Sequence, residues 1–219
     1  MVLFLVQIDV PSHEAEAFSR YQAEHVAKAL VAMGRGAMGM RARVIQDGET
    51  ARFFWFFELP SLSALESFLT SRDREELYAE LSERFPEARV RLSFGELASG
   101  VRRGLRYGED PGAAYVVDIS LPRETANGWA SWYDSERVAR ALADAGFVRA
   151  RRFELHDGED RSRHLVVLDA VDLDAARAFE QNGAAILADL GDAEGPTDAR
   201  VERSLWQWVR EAPVEEESS

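Results

Sequence analysis

Apolar residues fill positions 2–10, interrupted only by Gln7 and Asp9, and Pro11-Ser12 stop the run. The pattern predicts a strand, with Ser12 placed to cap a helix behind it. From about 13 to 33, Phe18, Tyr21, Val26, Leu30 and Met33 recur near the three- and four-residue spacing of an amphipathic helix, which Gly34-Arg35-Gly36 ends. Residues 40–46 alternate, Asp47-Gly48 turns the chain, and 52–59 run back as the second arm of a hairpin. Pro60-Ser61 opens a second helical stretch to about 84, interrupted near Ser71, and Pro86 precedes a strand over 89–97. The order is β-α-β-β-α-β.

The pattern then repeats. Tyr21-Gln22-Ala23-Glu24-His25-Val26-Ala27-Lys28-Ala29-Leu30 returns as Tyr133-Asp134-Ser135-Glu136-Arg137-Val138-Ala139-Arg140-Ala141-Leu142. Pro11 meets Pro122, Asp47-Gly48-Glu49 meets Asp157-Gly158-Glu159, and Val90 meets Val201, so the offset stays between 110 and 112. An offset that drifts so little marks a duplicated unit. In the second copy we expect strands over 114–121, 147–156, 164–170 and 199–209, with helices over 124–144 and 172–189. The expected organisation is a first repeat over 1–98, a linker over 99–112, a second repeat over 113–210 and a disordered acidic tail over 211–219.

A β-α-β-β-α-β unit folds as a four-stranded antiparallel sheet with both helices on one face. Phe53-Phe54-Trp55-Phe56-Phe57 places large rings on both faces of one strand, so the second face must also be covered. The other repeat is the candidate cover. The expected fold class is therefore α+β: two fused ferredoxin-like halves whose antiparallel sheets pack into one α/β barrel. A net charge of −13 argues against nucleic-acid partners, which need clustered basic charge. No apolar run reaches the length of a membrane span, so no membrane partner is expected. The chain has no cysteine, which removes disulfides, thiolate nucleophiles and cysteine-ligated metal, and fits a cytoplasmic location. Lys28 is the only lysine, and no phosphate-loop pattern surrounds it.

Trp132-Tyr133-x-x-Glu136, then Ala145-Gly146-Phe147-x-x-Ala150-Arg151-Arg152-Phe153, with Tyr21-x-x-Glu24-His25 in the first copy, resembles the dimeric α/β-barrel superfamily. The EthD-like and antibiotic-biosynthesis-monooxygenase-like groups are the nearest in pattern. The resemblance covers nearly the whole chain, once per copy, and implies that one chain makes the barrel that shorter relatives make by dimerising. It implies cofactor-free isomerase, cyclase or monooxygenase chemistry on a small hydrophobic or aromatic compound. The first copy departs from the pattern with Gly39-Met40-Arg41-Ala42-Arg43, and the second replaces the family histidine with Arg137. Only the first half keeps that histidine, as His25.

His25, one helical turn from Tyr21, is the candidate acid or base, with a hydrogen-bonded, inert histidine as the alternative. Gln7 and Asp118 occupy equivalent mid-strand positions, and flanking aliphatics turn both into the presumed barrel. Asp118 is either a proton carrier or the partner of an arginine such as Arg152. Arg152 and Glu154, alternating with Phe153 and Leu155, are expected to face the barrel if those two face the helices. Trp55 and Trp132 are candidates to line an aromatic pocket, and core packing is their alternative. His156, His164 and Glu154 match no metal-binding spacing, so neither metal nor cofactor is expected. The expected partner is a small hydrophobic molecule, the expected state a monomer or homodimer. A non-catalytic ligand-binding or sensing protein of the same fold is the alternative to an enzyme.

Overall fold

The computed structural model describes residues 1–45, 48–102, 111–137, 147–156, 161–182 and 199–209. Asp47, the Asp157-Gly158 turn, the acidic tail and the centre of the linker lie outside them, as do residues 138–144 and 183–189 of the expected second-copy helices. The first half comprises β1 (Val2–Pro11), α1 (Ala15–Met33), β2 (Met38–Val44), β3 (Thr50–Leu59), α2 (Leu62–Leu69), α3 (Arg72–Arg84) and β4 (Arg89–Arg102). The second comprises β5 (Ala113–Pro122), α4 (Arg123–Trp132), β6 (Phe147–Leu155), β7 (Arg161–Ala170), α5 (Leu173–Asn182) and β8 (Arg200–Val209). β4 runs further into the expected linker than its sequence suggests, because Ser99 to Arg102 pair with β6.

Ser12 does not cap α1. It opens a short 3-10 turn, Ser12–Glu14, and its hydroxyl donates instead to the Gly48 carbonyl at 2.7 Å, tying the strand end to the β2–β3 hairpin. The break near Ser71 is real and has a cause: Ser61 and Ser71 each accept a backbone N–H, from Ala64 and Arg74, so each starts its own helix.

The strands close an antiparallel barrel in the order β1-β3-β2-β8-β5-β7-β6-β4. Each half contributes a ferredoxin-like sheet, and the barrel closes where β2 meets β8 and β4 meets β6. Every neighbour is antiparallel, so equivalent strands such as β1 and β5 run the same way on opposite sides. Equivalent residues therefore share one end of the barrel.

Three apolar clusters follow. Leu3, Leu5, Phe54, Phe56, Phe153, Trp206 and Trp208 are among those filling the barrel. Val6, Ile8, Phe53, Trp55 and Phe57 pack outward against α1, α2 and α3. Val117, Ile119, Val166 and Leu168 do the same under the second half's helices. The aromatic run on β3 thus serves two cores, as a strand buried on both faces must. Among the described residues no helix is long and apolar enough to cross a membrane.

Candidate functional site

The residues singled out in the sequence do not meet at one point. His25, Tyr21 and Trp55 lie between α1 and the outer face of the first sheet. Gln7 and Asp118 lie on the inner face, at one end of the barrel. Arg152, on the outer face of β6, and Trp132, on α4, lie where the second half's sheet meets its helices.

Arg152 and Glu154 therefore do not face the barrel. Phe153 and Leu155 occupy it instead. The counterparts of Ala42 and Val44 are Phe153 and Leu155, because both pairs sit at matching register on the hairpin partner. Shifting a strand by one residue exchanges its faces. Arg152 is buried, pairs bidentately with Asp134 at 3.0 and 2.7 Å, and donates to His164 Nδ1 at 3.2 Å. Asp134 stands on a π-turn, Tyr133–Arg137, that continues α4, and its carboxyl is held below the usual range despite burial by Arg152 and Ser99. Because arginine only donates, His164 Nδ1 must be the acceptor and Nε2–H must donate to Ser162, at 3.0 Å. Glu154 is exposed, and His156 is exposed rather than beside His164.

His25 is likewise buried. Helix spacing stacks it one turn above Tyr21, whose hydroxyl meets Nδ1 in a short hydrogen bond. Its ring lies 4.8 Å from that of Trp55, whose Nε1–H donates to Gln22. Tyr21 makes no other hydrogen bond among the described residues, so its O–H is best satisfied by donating to Nδ1, which leaves the proton on Nε2. Burial holds the imidazole neutral, with its pKa pushed down to about 4, and raises that of the Tyr21 phenol. Nearby Glu80 works against burial at His25 and with it at Tyr21.

His25 lines a cavity of about 60 Å³ with Phe4, Val6, Trp55, Phe57, Phe68 and Leu81. Arg74 and Tyr78 on α3 also line it, and Arg74 lies over the Tyr78 ring at 5.6 Å. A neutral N–H in a largely apolar pocket can polarise a carbonyl or hold an enolate oxygen. Asp118 cannot share that work. It lies on the other face of the barrel wall and is clasped by Arg163, whose Nε donates to it at 2.9 Å.

Sequence reasoning missed the arginines. Arg52 and Arg163 occupy equivalent register positions, two residues from Thr50 and Arg161 that pair with Pro11 and Pro122. The offset of Pro11 and Pro122 applied to Arg52 would have found both. Also missed was a buried network at the far end of the barrel: Arg151 donates to Glu58 at 2.5 Å and to Asp169 at 2.9 Å, and Trp208 donates to Asp169.

No family model matches the chain, and no curated protein matches it in sequence. Solved structures do match. A candidate monooxygenase of Fusobacterium nucleatum is 13% identical over 95% of this chain and 93% of its own, with a TM-score of 0.63. An anthrone oxidase-like protein is 13% identical over 95% and 92%, with a TM-score of 0.61. A second candidate monooxygenase, of Lactobacillus acidophilus, is 10% identical over 94% and 93%, at 0.59. These likenesses span both halves at once, and with the closed strand order they identify the fold: an α/β barrel of two ferredoxin-like halves in a single chain.

Proposed function

We propose that the chain is a cofactor-free enzyme acting on a small hydrophobic carbonyl compound of aromatic or polyketide-like type. The observation that carries this reading is the neutral His25, held by Tyr21 and lining an apolar cavity. The site lies outside the barrel, between helix layer and sheet. Nε2–H donates to the substrate oxygen and stabilises the enolate that forms as the adjacent C–H proton passes to a solvent base. That enolate is the common intermediate of isomerisation, cyclisation and cofactor-free oxygenation. Two candidate monooxygenases and an anthrone oxidase-like protein among the similar structures support this choice of chemistry.

A cavity of about 60 Å³ admits only part of such a substrate, so α3 must yield at Arg74 and Tyr78 for the rest to enter. The small volume favours the second reading, a protein that binds or senses a ligand without turning it over. Anthrone is a suitable probe, since its oxygenation consumes one dioxygen and gives anthraquinone and water. We expect oxygen uptake that His25→Ala reduces by at least 100-fold, the loss typical of a transition-state hydrogen bond, about 2.7 kcal/mol. Unchanged turnover in that variant sinks the assignment of His25. Binding of a panel of enolisable aromatic ketones with no turnover favours the sensor.

A further inference from the structure

A larger cavity, about 240 Å³, opens at the end of the barrel remote from the Glu58–Arg151–Asp169 network. It lies on the seam between the halves, on the opposite face of the sheet from His25. Leu5, Phe54, Val116, Leu165 and Trp206 form its apolar floor, where Phe54 and Trp206 stack with ring centres 4.2 Å apart. Its rim is polar and built from equivalent positions of the two repeats. Gln7 corresponds to Asp118 and Arg91 to Glu202: Gln7 opposes Arg91 across β1 and β4, and Asp118 opposes Glu202 across β5 and β8.

The charges on this rim are not spent equally. Arg52 is bidentate to Asp9, at 2.7 and 3.2 Å, and reaches Glu202 at 3.3 Å. Arg163 is held by Asp118. Arg91 is exposed on β4 and makes no ion pair among the described residues. The lining holds four arginines (Arg52, Arg91, Arg163, Arg203) against three carboxylates (Asp118, Glu180, Glu202). On a chain of net charge −13 this mouth is a place where an anion meets no excess of negative charge.

We propose that the barrel mouth is a second ligand site, one that takes a small aromatic carboxylate. The ring lies on the Phe54–Trp206 floor, and the carboxylate is received by Arg91, with Gln7 and Ser93 beside it on the rim. An apolar floor with a few convergent polar groups is the usual build of a small-molecule site. The cavity accommodates a one- or two-ring acid, not a larger molecule. This site is independent of the His25 reading and stands or falls separately.

The test is calorimetric titration with 2-naphthoate, and with 2-naphthalenemethanol as its uncharged analogue. We expect saturable one-to-one binding of the acid, weakened about tenfold or more by Arg91→Met, as loss of a charge-assisted hydrogen bond requires. The analogue should bind more weakly and be indifferent to that change. Arg74→Met, at the His25 cavity, should leave the acid's affinity unaltered. Val116→Phe fills the floor and should abolish binding; if it fails to fold, Arg91→Met, at an exposed position, decides alone. No saturable binding overturns the proposal, as does binding indifferent to Arg91→Met. Loss of binding on Arg74→Met overturns it too, by placing the acid in the other cavity.

Discussion

At the scale of single residues, the two buried histidines make a quantitative demand on stability. His25 and His164 are each nearly inaccessible, and burial is the largest cause lowering both pKa values to about 4. Arg152 lowers His164 further, against Glu154 and Asp134, while Lys28 lowers His25 against Glu80 and Glu24. Below pH 6.5 the unfolded chain's imidazoles take up protons, and the folded ones stay neutral down to about pH 4. The unfolded state binds more protons across that window, so stability falls as pH falls through it and loses nothing further from these groups below it. The expected loss is about 3 kcal/mol per histidine, at about 1.4 kcal/mol per pH unit. Urea midpoints between pH 7.5 and 4 should show this acid limb, and His164→Gln should remove about half of it. An unchanged limb in the variant would mean that His164 charges freely in the folded protein. Arg151 makes a second demand. Replacing it with Met strands Glu58 and leaves Asp169 to Arg149 and Trp208, and should cost about 3–5 kcal/mol, as breaking one side of a buried pair does. Chemical denaturation measures it.

At the scale of elements, the edge between β4 and β6 depends on one glycine. A Cβ at Gly95 would lie 2.1 Å from the Glu154 carbonyl oxygen, a contact that only backbone movement relieves. Gly95→Ala should therefore destabilise the barrel by well over the change of about 1 kcal/mol on which point mutations centre, and should loosen this seam first. Faster amide exchange along Ser99–Arg102 than along β1 is the signature to look for. Strand and helix positions were largely legible beforehand, because hydrophobic period and Pro, Gly and Ser punctuation are local signals. The faces of β6 were not. Phe153 and Arg152 are adjacent, both are buried, and each face of that strand is covered, so alternation alone does not say which residue enters the barrel. Turn composition suggested an offset of 110, whereas strand register follows 111, and that single residue moved Arg152 and Glu154 from inside to outside. Tyr21 and His25 were legible as a pair because helical spacing places i and i+4 on one face. Their separation from Asp118 was not, since it depends on which side of a closed sheet each element packs.

At the scale of the whole molecule, the two halves fit each other better than either fits itself. Across one seam Gly95 faces Leu155 and Leu97 faces Phe153; across the other, Val44 faces Trp206 and Ala42 faces Trp208. By register Gly95 is equivalent to Trp206, Leu97 to Trp208 and Ala42 to Phe153, so the first half brings small side chains to both seams and the second brings large ones. A barrel made from two first halves would set Gly95 against Val44 and Leu97 against Ala42, leaving the interior underfilled. Two second halves would set Trp206 against Leu155 and Trp208 against Phe153, which the same space cannot hold. Voids and overpacking each cost a few kcal/mol per site, and here each would occur twice by symmetry. We therefore expect residues 1–106 and 107–219, expressed together as separate chains, to copurify as a one-to-one complex. Either expressed alone should fail to give a stable homodimer, as judged by sedimentation and by the sharpness of its thermal transition. A well-folded homodimer of the first fragment would show that its edges pair without the second half's aromatics. In that case the asymmetry of the interior would serve the cavity at the barrel mouth rather than the closure of the barrel.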